Sequence, residues 1–459
     1  MNDQDTAAPA QLADVDYTPP MAQAIPLGIQ HVLAMFAGNI TVPLLIALAA
    51  GPQYITVLIQ IALLAAGVAT LIQTVGIGPI GARLPVVQGT SFAYVGILTA
   101  ALKGGASLAA VFGASIVGGI FQMILGYFIP QIRKFIPTLV SGIVVMTIGF
   151  TLIPVGIKYS AGCGAYPAAF CEKIGFGDAS NWLMALFVII VTLLLRRYGK
   201  GIWSAASIFI GLCIGYVVAI PFGMVNPKKV EAIGAADWIG LPGTHFGLDF
   251  TSSAAIGLMG LMVIMAFITT IETVGDISGI TMGGGNREAT DKELKGGIMA
   301  DGLGSAVVAL FGGLPNTSYS QNVGLVSYTK VMSRHVVTIG AIFLILAGLV
   351  PKLAALVAAL PEPVLGGATV VMFGMIASAG MKLVAQAGFN SRNMLIVAVS
   401  LGLGLGLWQV DQFARVAGFG PIPADQFASW SVPLFVSGIV VSGLVAAILN
   451  AFMPEEEDA

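Results

Sequence analysis

Charge is scarce in this sequence. Asp, Glu, Lys and Arg make up only 9% of the 459 residues, against roughly a quarter in a soluble domain, while 57% are hydrophobic. That composition belongs to a membrane protein. With 20 basic and 22 acidic residues the net charge is −2, so no polybasic surface for nucleic acid exists. Histidine and cysteine are equally sparse, at 3 each, and no set of them stands at ligand spacing. Neither a metal nor a cofactor is expected. Cys163 and Cys171 fall in one outer loop, where the sequence leaves a disulfide open, and Cys213 lies in an apolar run and reads as a small core residue. A signal peptide is not expected either. Residues 1–24 carry Asp3, Asp5, Asp14 and Asp16, have no basic start or apolar core, and read as a solvated cytoplasmic tail. The run Glu455 to Asp458 reads as a solvated end at residues 453–459.

Between these tails apolar runs recur that are long enough to cross a hydrocarbon layer of about 30 Å as helices. Fourteen are expected, beginning near Ile25, Tyr54, Val87, Leu108, Pro137, Asn181, Ile202, Ser253, Gly297, Thr317, Val336, Pro363, Asn393 and Ser431. With the N-terminus inside, 13 of the 20 Lys and Arg residues fall in inner loops and 7 in outer ones. The positive-inside rule therefore favours both termini in the cytoplasm and an even number of spans.

The chain resembles itself at half its length. Pro137 to Met146 aligns with Pro363 to Met372 at an offset of 226, Thr90-Ser91-Phe92 with Thr317-Ser318-Tyr319 at 227, and Ile40-Thr41-Val42 with Glu272-Thr273-Val274 at 232. Two halves of seven spans each must enter the membrane from opposite sides, because seven is odd. Inverted repeats of this kind occur in secondary transporters, whose sites lie near the midplane at broken helices. Pro85 to Phe92 (PVVQGTSF) and Pro315 to Gly324 (PNTSYSQNVG) are rich in Pro, Gly and small polar residues, so the third and tenth spans are expected to be broken there.

Of the 22 acids, 8 lie in the tails and 11 in loops or at span ends, which leaves Glu272, Asp276 and Asp301 within spans. A charge in hydrocarbon is costly and needs a reason. Glu272 and Asp276, four residues apart, project from one helix face. Asp276 and Asp301 read equally as buried hydrogen-bonding groups that fix packing or as functional groups. Glu272, deeper and beside the broken segments, reads as a group that takes up and releases a proton. His31 is either a satisfied packing residue or a supporting group beside Gln30. Gln321 and Asn322 offer donors and acceptors suited to a neutral planar ligand, or else cap the broken backbone; Gln321 is expected to face ligand and Asn322 to hold the segment. Gly402, Gly404 and Gly406 fit close helix packing, and Gly283-Gly284-Gly285 reads as a flexible inner loop without the Lys-Ser/Thr ending of a phosphate loop.

The stretch Gln321 to Lys330 (QNVGLVSYTK) resembles the tenth-span motif of the nucleobase–ascorbate transporter family, the second class of nucleobase–cation symporters. Gln30-His31, Gln88 to Phe92, Glu272 to Asp276 and Ala300-Asp301-Gly302 match its other motifs, and the resemblance runs from about Pro26 to Pro454. It implies an all-α polytopic fold of 14 spans in two inverted repeats, with short extended pieces in spans 3 and 10. A core domain would comprise residues 25–130 and 253–351, and a gate domain, commonly dimerising, residues 137–222 and 363–452, with elevator motion of core against gate. By matching position, Glu272 and Gln321 would hydrogen-bond the base, Phe92 would stack on it, and Ser91 and His31 would line the site. Asp276, Asp301, Asn322, Gln30 and Thr90, with His31 and Glu272, would organise the site and couple protons.

Uracil-type members carry Glu in place of Gln321, so the pattern is similar to xanthine and urate permeases. Thr90-Ser91-Phe92 looks closer to the urate branch, and Thr329-Lys330 departs from the family pattern and leaves inner-end selectivity open. The expectation is a proton-coupled symporter importing xanthine and/or urate, seated as a homodimer in the cytoplasmic membrane, with no nucleic-acid partner. The alternative is a uracil or broad nucleobase symporter, with sodium as a coupling ion not excluded. An intramembrane aspartyl hydrolase is disfavoured because neither Asp276 nor Asp301 stands in a Tyr-Asp or Gly-x-Gly-Asp context.

Overall fold

The computed structural model describes residues 10–162, 176–243, 246–414 and 437–454. Its first half contains α1 (Met21–Ala50), α2 (Ile55–Val75), strand β1 (Gln88–Thr90), α3 (Val95–Lys103), α4 (Leu108–Tyr127), α5 (Thr138–Ser160), α6 (Ala179–Tyr198) and α7 (Ser207–Ala219). The second contains α8 (Ser253–Gly285), α9 (Asp291–Leu310), strand β2 (Asn316–Ser318), α10 (Ser320–Thr329), α11 (Arg334–Gly348), α12 (Glu362–Gln386), α13 (Ser391–Ala414) and α14 (Gly438–Phe452). Shorter helical pieces include Ile202–Ala205, Pro227–Ala235 and Pro351–Ala358. Among the described residues seven helices are long and apolar enough to cross a membrane, or eight if the pair on either side of an 80° bend at the end of α11 is one span. The chain is a multi-pass membrane protein. Helix α10, with 10 residues, is too short for that set, and α9 is outside it because its first turns carry Asp291, Lys292, Glu293 and Lys295.

Packing partners come in related pairs. The contact of α4 with α9 is answered by that of α11 with α2, α8 with α4 by α1 with α11, and α12 with α6 by α5 with α13. At the centre α5 lies against α12. Small residues let these two backbones approach: a Cβ on Gly149 would sit 2.4 Å from Ala377 N, and one on Gly380 would sit 2.3 Å from Met146 N. In lipid, where tails are as apolar as leucine, such close van der Waals packing drives helix association.

The two strands cross as an antiparallel pair, Gln88 opposite Ser318, Gly89 opposite Thr317 and Thr90 opposite Asn316. Ser91 N donates to Pro315 O at 2.9 Å and Tyr319 N to Val87 O at 3.0 Å, so the pairing extends evenly on both sides. Thr70 of α2 holds β1 by the backbone of Gln88, accepting from its N at 2.9 Å and donating to its O at 3.4 Å. Ser305 of α9 holds β2 identically by Asn316, at 2.9 and 3.1 Å. The register centred on Gly89 and Thr317 makes Gln88 equivalent to Asn316, an offset of 228. The sequence alignment of Thr90 with Thr317 is thus one residue out, because it matched side-chain letters where backbone pairing decides.

Several expectations need correction. The segment before α1 is not simply solvated: Leu12 is buried against Val331 and Val336, and its carbonyl accepts from Met332 N at 2.7 Å. Gly283-Gly284-Gly285 is no loop. It is the last turn of α8, where Gly284 passes close to Met332 and Asn286 supplies a left-handed cap. The ninth helix starts at Asp291, ahead of Gly297, because Thr290 and Glu293 form a capping box. Cys213 is exposed on α7 and not in the core. Gly404 packs against Ser442 and Gly438, whereas Gly402 and Gly406 face open space. Cys163, Cys171, Ser431 and the acidic run from Glu455 lie outside the described residues.

Candidate functional site

The three membrane acids converge on the strand crossing and differ in their partners. Asp301, on α9, receives three donors: Gln73 Nε2 at 2.8 Å, Gln88 Nε2 and Thr273 Oγ1. Gln73 is fixed in turn, since its Oε1 accepts from Ala82 N at 3.0 Å and its Nε2 also donates to Gly297 O at 2.9 Å. Asp276, on α8, accepts from two hydroxyls at the end of β2, Ser318 Oγ and Ser320 Oγ, each at 2.7 Å. Glu272, one helical turn earlier, has a single long contact, Thr317 Oγ1 at 3.5 Å. All three side chains are buried.

The first span closes the other side. Asn39 Oδ1 accepts from Thr90 N at 2.9 Å, and Thr90 Oγ1 donates to Asn39 O at 3.0 Å. Tyr319 OH donates to Thr90 O at 2.8 Å. Asn322, near the start of α10, donates from Nδ2 to His31 O at 3.0 Å and lies 3.2 Å from His31 Nδ1. The phenyl ring of Phe92 sits between Tyr319 and Phe373, with centroids 6.2 and 5.5 Å away. Phe373 belongs to α12, so this aromatic contact links the strand crossing to the central helix pair. Gly38 makes room for it, because a Cβ there would lie 2.9 Å from the Tyr319 ring and 3.3 Å from that of Phe92.

A cavity of about 240 Å³ opens between α8 and α10 on one side and α6 and α12 on the other. Asp276, Ser320 and Gln321 line it, facing Arg196, Ser378 and Lys382. Glu272, Phe92, Ser91, Thr90 and His31 are buried beyond these and do not line it; Gln30 is buried on α1. Among the described residues, buried polar atoms without a partner are found at or beside the crossing on Gln88 Oε1, Ser91 Oγ, both side-chain polar atoms of Asn316, Gln321 Nε2 and Asn322 Oδ1, and away from it on Thr99, Gln122, Thr192 and Ser400. Such groups are costly unless something pairs with them, so those at the crossing mark a place suited to a polar ligand. The residues missed in the sequence are the holders: Gln73, Asn39, Thr273, Thr317, Ser318 and Ser320. Gln73 and Asn39 had a signal, as amides inside apolar helices; Thr317, Ser318 and Ser320 stood out only as part of the broken tenth segment and Thr273 only as part of the Glu272 to Asp276 motif, none of them as a partner of an acid.

Acids held by hydroxyls and amides around a broken, antiparallel crossing, inside a helical membrane body, define a membrane transporter. The fold is shared with solved structures: the transmembrane domain of a cyanobacterium bicarbonate transporter, BicA, matches with TM-score 0.56 and 16% identity over 94% of this chain and 97% of its own. The murine Solute Carrier 26 family member A9 anion transporter, in the inward-facing state, matches with TM-score 0.56 and 15% identity over 92% of this chain and 68% of that one. The permease family model Xan_ur_permease matches residues 22–413. Xanthine permease XanP of Escherichia coli (strain K12) is 38% identical over 96% of this chain and 94% of its own length. Uric acid permease PucK of Bacillus subtilis (strain 168) is 35% identical over 95% of this chain and 96% of its own. The chain belongs to this permease family, the nucleobase–ascorbate transporters, and is a transporter and not an enzyme.

Proposed function

We propose that this permease imports xanthine and/or urate across the cytoplasmic membrane in symport with protons. The observation that carries the reading is the uneven satisfaction of the three acids. Asp301 and Asp276 are occupied by three and two donors, whereas Glu272 has one contact at 3.5 Å. A carboxyl group so lightly engaged can exchange a proton and donate a hydrogen bond to a purine when protonated. Gln321, which lines the cavity, binds the same base from α10, and in this reading the base reaches past the lining to stack on Phe92, with Ser91 and His31 buried beside it. The relatives that share this chain's length include both xanthine and uric acid permeases, which supports the substrate class.

In this reading the helices form 14 spans in two inverted repeats, supported by the paired helix contacts and by the matching grips of Thr70 on Gln88 and Ser305 on Asn316. Residues 25–130 and 253–351 form the core, residues 137–222 and 363–452 the gate, both termini are cytoplasmic, and two copies join through their gates. The core carries substrate by an elevator motion. The test is uptake of labelled xanthine into vesicles with an imposed pH gradient, competed by urate, uracil, guanine and hypoxanthine. Accumulation that follows the pH gradient and is blocked by urate is expected. Uracil uptake without xanthine uptake, or accumulation that follows sodium, would overturn the proposal.

A further inference from the structure

Resting on the purine reading, we propose that Arg196 and Lys382 form a second subsite, at the mouth of the cavity, that selects oxopurines in their anionic form. The side chains come from α6 and α12 and stand in one cavity wall, opposite Asp276, Ser320 and Gln321. Arg196 is held in place by a reciprocal contact: its Nη1 donates to Ser204 O at 3.2 Å, and Ser204 Oγ donates to its backbone O at 3.0 Å. Among the described residues no carboxylate lies within ion-pair distance of Arg196 or Lys382. The cavity lining therefore carries two cations against one carboxylate, Asp276.

Two positive side chains in a concave mouth concentrate anions, and a guanidinium also offers a planar fork of donors to adjacent oxygens. Urate is a monoanion at neutral pH, with its charge spread over ring nitrogens and exocyclic oxygens. Xanthine is mostly neutral when mildly acidic. A site made only of Gln321, Ser320 and carboxylates cannot prefer the anion, because acids repel it. The basic pair supplies that preference from the opposite wall and leaves hydrogen-bond recognition at the crossing untouched.

The test is equilibrium binding of labelled urate and labelled xanthine to the purified full-length protein at one mildly acidic pH. For Arg196→Gln or Lys382→Gln, urate binding is expected to weaken about fivefold while xanthine changes by less than about twofold. Arg196→Lys and Lys382→Arg, which keep the charge, should restore the urate-to-xanthine ratio. Added salt should weaken urate binding to the parent protein more than to the double variant. Equal weakening of both ligands, or no change in either, would overturn the subsite while leaving the purine reading intact. A parent protein that binds neither ligand would instead overturn the purine reading, and the subsite with it.

Discussion

Asn322 Nδ2 donates to the backbone carbonyl of His31 at 3.0 Å and lies 3.2 Å from Nδ1 of the same residue. A carbonyl can only accept, so the amide nitrogen must face it, and His31 Nδ1 must then be the acceptor of the second contact. His31 is accordingly neutral with its proton on Nε2. The bond ties α10 to α1 across the site. Asn322→Ala should cost about 2 kcal/mol of stability, from the lost bonds and the buried His31 Nδ1 left without a donor, and should strongly reduce purine uptake. His31→Asn can still present an acceptor and should retain much more; thermal melting and uptake of the two variants check this ordering.

Glu272→Gln mimics the protonated carboxyl and cannot release a proton. If Glu272 carries the coupled proton, the variant should exchange substrate down its gradient but fail to accumulate it when a pH gradient is imposed. Counterflow and gradient-driven uptake in the same vesicles separate the two activities. Full gradient-driven accumulation by the variant would remove Glu272 from the coupling role.

Asp301 and Asp276 should respond differently to the same alanine substitution. Two of the donors to Asp301, Gln73 Nε2 and Gln88 Nε2, share its Oδ1 and cannot turn into acceptors, while Thr273 Oγ1 faces its Oδ2. An Asn there can keep Oδ1 toward both amides and turn Nδ2 toward the Thr273 hydroxyl, but an Ala leaves all three donors without their acceptor. The partners of Asp276 are two hydroxyls, which can rotate toward other acceptors. Asp301→Ala should therefore lose about 2 to 4 kcal/mol and Asp276→Ala clearly less. Comparing melting temperatures of the purified variants tests the contrast, and equal losses would contradict it.

The sequence made the membrane body legible because its signal is additive: long apolar runs and sparse charge. The breaks near Gln88 and Asn316 were legible because Pro, Gly and small polar residues interrupt a helix, and interrupted backbone at membrane depth survives only where protein buries it or a cavity wets it. The three acids stood out by their cost. What stayed hidden depends on three-dimensional register. The pairing of Gly89 with Thr317 shifts the repeat by one residue, and the hydroxyls of Ser318, Ser320 and Thr273 become recognisable as partners only once α8 and β2 are side by side. Gln321 was singled out for its chemistry and does line the cavity, whereas Phe92 lies in an aromatic cluster with Tyr319 and Phe373 that no sequence pattern announces.

Gly89 admits no side chain. A Cβ there would meet Asn39 Oδ1 at 2.7 Å, Met35 Cε at 2.8 Å and the Tyr319 ring at 2.8 Å, while one on Gly96 would meet nothing within 4 Å. Asn39 and Tyr319 cannot both yield, since each is engaged with Thr90. Gly89→Ala should therefore displace β1 and abolish transport, whereas Gly96→Ala, on α3 and away from the cavity, should be tolerated and add helix propensity. Uptake and melting temperature of the pair provide the check.

The segment ahead of α1 is anchored to the turn between α10 and α11. Leu12 is buried against Val331 and Val336, Ser333 Oγ donates to Tyr17 O at 2.6 Å, and Arg334 N donates to Val15 O at 3.0 Å. Arg334 also reaches Asp16 at 2.7 Å and Thr74 O at 2.8 Å, so one side chain joins the segment to α11 and α2. The segment thus buttresses the turn between α10 and α11, directly after the helix that carries Gln321 and Asn322. Asp16 is mostly exposed and its ion pair contributes little in salt; the buried leucine and the backbone bonds carry the contact. Leu12→Ala should lower stability by about 2 kcal/mol, and Asp16→Asn should scarcely matter. If the contact positions α10, Leu12→Ala should also weaken substrate binding, measured as Kd on the folded fraction. An unchanged Kd with a lowered melting temperature would make the segment a stabilising strap alone.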